Sequence, residues 1–383
     1  MNILVLLLLI YLYINVCYIF FFSIASLWKK EESIVEDPVK IHRIAVLIPA
    51  YKEDGVIVNS VRKAMDQDYF EEKYRVFVLA DQLKETTHSE LAKMPITLVK
   101  VDLQKSSKSR SLNLAIPMLE NFEIAVILDA DNIMQRNFLT IINRHYAAGN
   151  KVIQGKRIAK NENTRTAFLD GLSEEINNRL FRKAHRNVGL PSALIGSGMA
   201  FDVEILAKYL KGIDVLGGFD KLLELLLLRD RVDISYADQA LVLDEKVSNK
   251  ASFTLQRTRW IAAQWKFGWN YIPNALYHLF KSGNIGYFDK VAQFLLLPRL
   301  LLIGVVFLAT TGSLFIAEIS SLPYLVLMST LVVSFSLVIP KTHRARLPNA
   351  LWQLPTLFWQ MIIACFSYHK ASKSFLHTQH DVN

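Results

Sequence analysis

Cysteine is nearly absent. Cys17 and Cys365 are the only two in 383 residues, and both lie in apolar stretches. A disulfide-stapled scaffold is thereby excluded, and the two thiols read as packing residues. The chain has no Gly-x-Gly-x-x-Gly after its first strand-like run and no Gly-x-x-x-x-Gly-Lys-Ser loop. A dinucleotide dehydrogenase and a P-loop nucleotidase are therefore disfavoured. Zinc-ligand spacing and an RNA-binding aromatic motif are also missing, so the net charge of +9 does not point to nucleic acid. It fits better the basic residues that membrane proteins keep on their cytoplasmic face. Disorder and collagen-like repeats are excluded by a composition that is 52% hydrophobic.

Charge is missing altogether from residues 3–28, 300–317 and 319–340. About 20 apolar residues span a bilayer core, so these stretches predict an integral membrane protein. Only Met1 and Asn2 precede the first run, which is too long for a signal peptide. Lys29 and Lys30 follow it, placing the N-terminus outside. The turn at 318–323 has no Lys or Arg, while Lys290 and Arg299 precede the pair of runs and Lys341, Arg344 and Arg346 follow it. That asymmetry puts residues 29–290 in the cytoplasm, at a plasma or inner membrane. Residues 347–368 are uncharged but carry Pro348 and Pro355, which suits either a fourth span or a broken interfacial helix. Lys370 and Lys373 favour a cytoplasmic end.

Between the apolar stretches the pattern changes. Residues 44–49, 75–80, 96–101 and 124–128 read as buried strands, and residues 56–65 and 109–119 as helices between them. The expected class is α/β, a mostly parallel sheet covered by helices. Ligands of such sheets bind beyond the carboxyl ends of the strands. Pro49-Ala50-Tyr51-Lys52-Glu53, Asp81 and Asp129-Ala130-Asp131 all fall there. Two carboxylates two residues apart can share a divalent cation with a phosphate. The competing reading is a turn in which Asp129 caps the next helix.

These pieces resemble the membrane-bound family-2 glycosyltransferases, the hyaluronan, chitin and cellulose synthase-like group, over residues 44–269. The resemblance implies a GT-A nucleotide-sugar fold with an N-terminal transmembrane helix and a C-terminal transmembrane helical region. Pro49, Ala50, Tyr51 and Glu53 match the segment that opens the nucleotide pocket, and Asp81 the carboxylate that contacts uridine. Lys108 and Asn113 match a Gly-Lys-Gly-x-Ala-Leu-Asn segment whose two glycines are serines here. Asp129 and Asp131 match the metal-binding Asp-x-Asp, which implies Mg²⁺ or Mn²⁺. Gly196, Ser197 and Gly198 match a glycine-rich acceptor-side loop. Gln256, Arg259 and Trp260 match Gln-x-x-Arg-Trp, the most specific of these signals.

One position departs from the family. Its Glu-Asp pair is Phe219-Asp220 here, so Asp220 remains the general-base candidate without its acidic neighbour. Asp244-Glu245 reads as structural, because it closes an apolar strand ahead of the helix with Gln256.

The implied reaction is an inverting transfer from a nucleotide diphosphate sugar, UDP-linked, to a polysaccharide or lipid-linked acceptor. In that reaction Arg259 contacts the diphosphate and Trp260 walls the acceptor or departing nucleotide. The alternative is a catalytically weak nucleotide-sugar-binding subunit within a synthesis or export complex. The expected layout is an anchor at 1–28, the sugar-transfer domain at 40–255, the Gln-x-x-Arg-Trp motif with an interfacial helix at 256–290, transmembrane and interfacial helices at 291–368, and a tail at 369–383. The aromatic helix after Arg259 reads as interfacial, with a buried helix of the domain as the alternative.

Overall fold

The apolar run Ile44–Tyr51 forms β1, and Ile44 through Ile48 are fully buried. The computed structural model, which describes residues 3–30, 32–215, 217–316 and 320–367, sets β1 inside an eight-stranded sheet. The other strands are β2 (Tyr74–Asp81), β3 (Thr97–Val101), β4 (Ile124–Ile127), β5 (Ile133–Met134), β6 (Val152–Ala159), β7 (Met199–Asp202) and β8 (Ser235–Asp244). Their order is β3-β2-β1-β4-β7-β6-β8-β5. The first four run parallel, and β7 is antiparallel to both β4 and β6, so β6 and its parallel neighbour β8 point the same way as β1.

Side chains alternate across a strand, and here both faces are covered. Ala45 and Leu47 enter one apolar cluster with Leu112 and Phe219, while Ile44, Val46 and Ile48 enter another with Ile57 and Phe138. The four strands expected from sequence are β1 to β4. The expected helix at 56–65 is Ile57–Met65. That at 109–119 is an α-helix, Lys108–Ala115, followed by a 3₁₀ turn at Ile116–Leu119, where Pro117 lacks the N–H an α-helix needs.

Chain order turns back at β1: β2 and β3 lie on one side and β4 on the other. Such a switch point opens a crevice beyond the carboxyl ends of β1 and β4. Pro49 is tolerated because β4 pairs with β1 only as far as Leu47, so no ladder bond is lost on that side.

Among the described residues one helix, Ile3–Ala25, is long and apolar enough to cross a membrane. Ile285–Leu295 and Arg299–Phe315 meet the same test together but are bent by 59°. The bend coincides with Pro298. The first helix catches the backbone groups around it: Tyr11 Oη donates to the Leu295 carbonyl at 2.6 Å, and the Leu297 N–H donates to Asn15 Oδ1 at 2.8 Å. Leu12, Val16 and Ile19 form a stripe on that helix, in one cluster with Leu302 and Val306 and with Leu327 and Leu331 of helix Leu322–Val338. The stretch at 347–368 is broken into Leu347–Leu351 and Leu354–Phe366. Residue 317 of the second apolar run, residues 318–319 of the expected turn, and Tyr368 with the tail at 369–383 lie outside the described residues.

Gly155 sits at a register shift between β6 and β8. A Cβ there would lie 2.9 Å from the Ala240 carbonyl oxygen and 3.0 Å from that of Gly198. Gly155→Ala is expected to cost about 1–3 kcal/mol through this overpacking, seen as a lower Tm of the purified protein.

Candidate active site

Three acidic residues meet at the carboxyl edge of the sheet. Asp129 follows β4, Asp131 lies in the turn before β5, and Asp244 ends β8. One carboxylate oxygen from each lies within 4.8 Å of the others, a spacing a divalent cation can bridge. Sequence reasoning read Asp244 as structural, and the fold brings it to the Asp-x-Asp turn instead. The available signal was its position: like Asp81 and Asp129, it closes an apolar run at a strand end.

A buried asparagine organises the three. Asn132 Nδ2 donates to Asp131 Oδ1 at 3.1 Å and to Asp244 Oδ1 at 3.0 Å. Its Oδ1 accepts from the Ser197 hydroxyl, and the Ser197 oxygen accepts the Asp129 N–H at 3.0 Å. Ser197 is fully buried, so it braces the acidic turn from below. Gln154, also fully buried, holds that loop from the other side. Its Nε2 donates to the Ser197 carbonyl at 3.0 Å and its Oε1 accepts the Ile195 N–H at 3.1 Å. Gly196 and Gly198 have φ of +85° and +61°, a left-handed conformation that favours glycine.

Cations surround the triad. Lys108 is the first residue of a helix capped by the Ser107 hydroxyl. Its Nζ is bonded to Asp129 and donates to the Gly196 carbonyl at 2.7 Å. Below Asp244, Lys246 Nζ is 2.7 Å from Oδ2 and Arg157 Nε is 3.6 Å away. Burial works against an ionised Asp244, and Arg157 and Lys246 overcome it, so its pKa falls below the usual carboxylate range. Arg157 and Arg182 converge in turn on buried Glu174, at 2.8 and 3.1 Å.

Asp220 stands in the first turn of helix Phe219–Arg229, which opens at Gly218 with φ +72°. A Cβ on Gly218 would lie 2.9 Å from the Ala263 side chain, so the glycine lets this helix approach the one that carries Gln-x-x-Arg-Trp. A Cβ on Gly196 would lie 3.5 Å from Asp220 Cγ, so loop and carboxyl are neighbours. Phe219 turns into the core, and Lys108 Nζ lies 5.3 Å from its ring centroid. The aromatic residue at the departure from the family pattern thus underlies Lys108.

Gln256, Arg259 and Trp260 lie on the long helix Lys250–Ser282. Burial pushes the Arg259 guanidinium pKa down, and Asp129 pulls it back, so Arg259 lies within the field of the acidic turn. Trp260 is 37% exposed, stacked on Arg257 at 4.2 Å. The Gln256 amide oxygen is buried without a hydrogen-bond donor among the described residues.

At the end of β2, Asp81 is 2% exposed. Neither of its oxygens has a completed hydrogen bond among the described residues. Burial pushes its pKa up, against the smaller pulls of Ser106 and Lys52. A buried acceptor of this kind is costly without a donor, and a ligand N–H or O–H would supply one. Pro49, Ala50 and Tyr51 end β1 beside it, with Tyr51 in register with Asp81. Lys52 follows with φ +57°, strained for a non-glycine residue, and its N–H donates to the Asp81 carbonyl at 3.1 Å. The Glu53 carbonyl accepts the Val56 N–H at 3.2 Å in the turn that follows. The Asn113 amide is occupied elsewhere, donating to Ser109 and Leu210 carbonyls at 3.0 and 3.2 Å.

An isosteric Asp244→Asn change is expected to weaken Mn²⁺ binding at least about tenfold, as read by Mn²⁺ titration with electron paramagnetic resonance, and to lower Tm because Lys246 loses its buried partner.

Residues 42–263, more than half of the chain, match the family described as "Glycosyltransferase like family 2". No curated protein matches the sequence. Among solved structures, the mannosyltransferase PcManGT from Pyrobaculum calidifontis, in complex with GDP-Man and Mn²⁺, is similar with a TM-score of 0.56 and 17% identity, covering 94% of this chain and 95% of that one. Glucosyl-3-phosphoglycerate synthase from Mycobacterium tuberculosis, in complex with Mn²⁺, UDP and glucosyl-3-phosphoglycerate, has a TM-score of 0.36 and 16% identity over 54% of this chain and 73% of that one. The first likeness shows the GT-A-like fold: a mixed, mostly parallel sheet covered by helices. By the match over residues 42–263, the chain belongs to glycosyltransferase family 2 as a nucleotide-sugar-dependent glycosyltransferase.

Proposed function

We propose that this protein is an inverting transferase of the membrane synthase-like group, moving a hexosyl or N-acetylhexosaminyl unit from a UDP-sugar to a polysaccharide or lipid-linked acceptor. The observation that carries the proposal is the convergence of the acidic triad, Lys108 and the Gly196–Asp220 contact on one sheet edge.

Asp129, Asp131 and Asp244 would hold Mg²⁺ or Mn²⁺ against the donor diphosphate. Bound there, the cation supplies Lewis-acid stabilisation of the leaving diphosphate. Asp81 accepts a base N–H, supported by its two buried oxygens, and Pro49, Ala50, Tyr51 and Glu53 frame the base. Arg259 adds positive charge on the diphosphate side. Asp220 accepts the proton of the acceptor hydroxyl as its oxygen attacks the anomeric carbon. The bond from that carbon to the diphosphate oxygen breaks, and the electron pair leaves with the nucleotide. Attack opposite the leaving group inverts the centre. Gly196 and Gly198 let the acceptor approach backbone, and Trp260 walls its channel.

The membrane arrangement rests on the apolar helices and on an exposed aromatic face of helix Lys250–Ser282. Trp269, Tyr277 and Phe280 are 68%, 53% and 82% exposed, while Phe267 and Ala275 of the same helix are buried. Aromatic faces of this kind suit the headgroup layer. In this reading residues 1–28 anchor the chain, residues 40–255 catalyse in the cytoplasm, residues 256–290 lie at the interface and residues 291–368 return to the membrane.

Phe219 favours a second reading, a catalytically weak subunit that binds donor within a synthesis or export complex. Donor turnover separates the two. Membranes carrying the protein are expected to transfer label from UDP-sugars in preference to GDP-sugars, to lose transfer on chelation and to regain it with Mn²⁺ or Mg²⁺. Asp220→Asn is expected to lower turnover about 10²–10⁴-fold with donor binding kept. Full turnover in that variant would overturn the base assignment, and no turnover in the parent protein would favour the subunit.

A further inference from the structure

Asp220 and Glu224 stand four residues apart on helix Phe219–Arg229, and so share one face of it. Glu224 is 1% exposed. Its Oε1 accepts the Leu194 N–H at 3.2 Å and Lys290 Nζ at 2.8 Å. Leu194 leads into the glycine loop, and Gly196 of that loop meets the Asp220 carboxyl. One helix therefore holds the loop at Leu194 through Glu224 and places Asp220 beside its Gly196.

Lys290 connects this grip to the apolar helices. It lies on Ile285–Leu295 with its side chain 5% exposed, and its Nζ also donates to Gln293 Oε1 at 2.9 Å. Gln293 Nε2 donates to Asp289 Oδ2 at 2.7 Å, and Asp289 Oδ1 accepts from Tyr18 Oη at 2.8 Å. Tyr18 belongs to helix Ile3–Ala25. An unbroken line of polar contacts thus runs from the first apolar helix to the loop beside Asp220. Gly268 presses the helix of Lys290 against the long motif helix, since a Cβ there would lie 3.0 Å from Leu295 and 3.3 Å from Phe294.

We propose that Glu224 and Lys290 are positioning residues that set the spacing between Asp220 and the 194–198 loop, and so the alignment of the acceptor hydroxyl. This rests on the reading of Asp220 as the base. A buried ion pair can often be replaced by apolar residues without loss of stability, whereas removing one partner leaves a costly buried charge. An apolar pair cannot accept the Leu194 N–H. Stability and positioning are therefore separable.

The test compares two variants of the full-length protein in detergent. Glu224→Leu combined with Lys290→Met removes both charges and the acceptor. It is expected to keep Tm within a few degrees of the parent. Turnover is expected to fall about 10–100-fold with donor KM unchanged, the scale of loss from a small misplacement. Backbone hydrogen exchange at residues 193–199 is expected to accelerate. Glu224→Gln keeps an acceptor for Leu194 but leaves Lys290 without a carboxylate partner. It is expected to lower Tm while costing turnover and loop protection much less than the double variant. Parent-like turnover and exchange in the double variant would overturn the proposal, as would losses that follow Tm in both variants. The exchange readout does not depend on chemistry at Asp220. If Asp220→Asn retained full turnover, the base reading would fall and exchange at 193–199 would still decide the tie.

Discussion

The site depends on holding three carboxylates close together before any cation neutralises them. At an effective dielectric of about 20, two like charges 4 Å apart repel by roughly 4 kcal/mol. The fold answers with one buried amide and a ring of cations. Asn132 spends both amide hydrogens on Asp131 and Asp244, and its oxygen accepts from Ser197. Lys108 takes Asp129, Lys246 adds a second contact to Asp244, and Arg157 with Glu174 and Arg182 extends the charge balance into the core. Asp244 consequently stays ionised near neutral pH despite its burial. A preorganised, charged, oxygen-only pocket suits a hard divalent cation.

That brace also explains the glycine loop. Ser197 lies beneath the acidic turn, so the loop backbone is fixed relative to the carboxylates by a hydrogen-bonded path of two side chains. The same backbone meets Asp220 through Gly196 and accepts Lys108 at its carbonyl. Asp81 and Asp220 are therefore both referred to one sheet edge. The helices that carry Asp220, Lys290 and the Gln-x-x-Arg-Trp residues pack on one another through Gly218 and Gly268.

Much of this was legible in the sequence. The strands β1 to β4 are short aliphatic runs bounded by polar residues, so they stand out in one dimension. Asp81, Asp129 and Asp131 follow such runs and fall at the edge where ligands bind. Asp244 carries the same signature, but its partners lie more than a hundred residues earlier, and the antiparallel pairing of β8 with β5, Ile133 against Leu243, brings them together. Ser197 read only as part of a glycine-rich acceptor-side loop, because burial cannot be seen in such a string. Phe219 stood out as a missing acid, while its contact with Lys108 required the fold. The Glu224–Lys290 pair left no local trace, since each charge alone is an ordinary surface residue on an amphipathic helix.

The central claim is that the triad and Asp81 form one nucleotide–cation site. The most direct measurement is a joint titration of the purified protein with Mn²⁺ and a nucleoside diphosphate, UDP or GDP, followed by electron paramagnetic resonance. Binding linkage is reciprocal. The account predicts that the nucleotide tightens Mn²⁺ binding and that Mn²⁺ tightens nucleotide binding by the same factor. Mn²⁺ affinity that is unchanged at saturating nucleotide would contradict it.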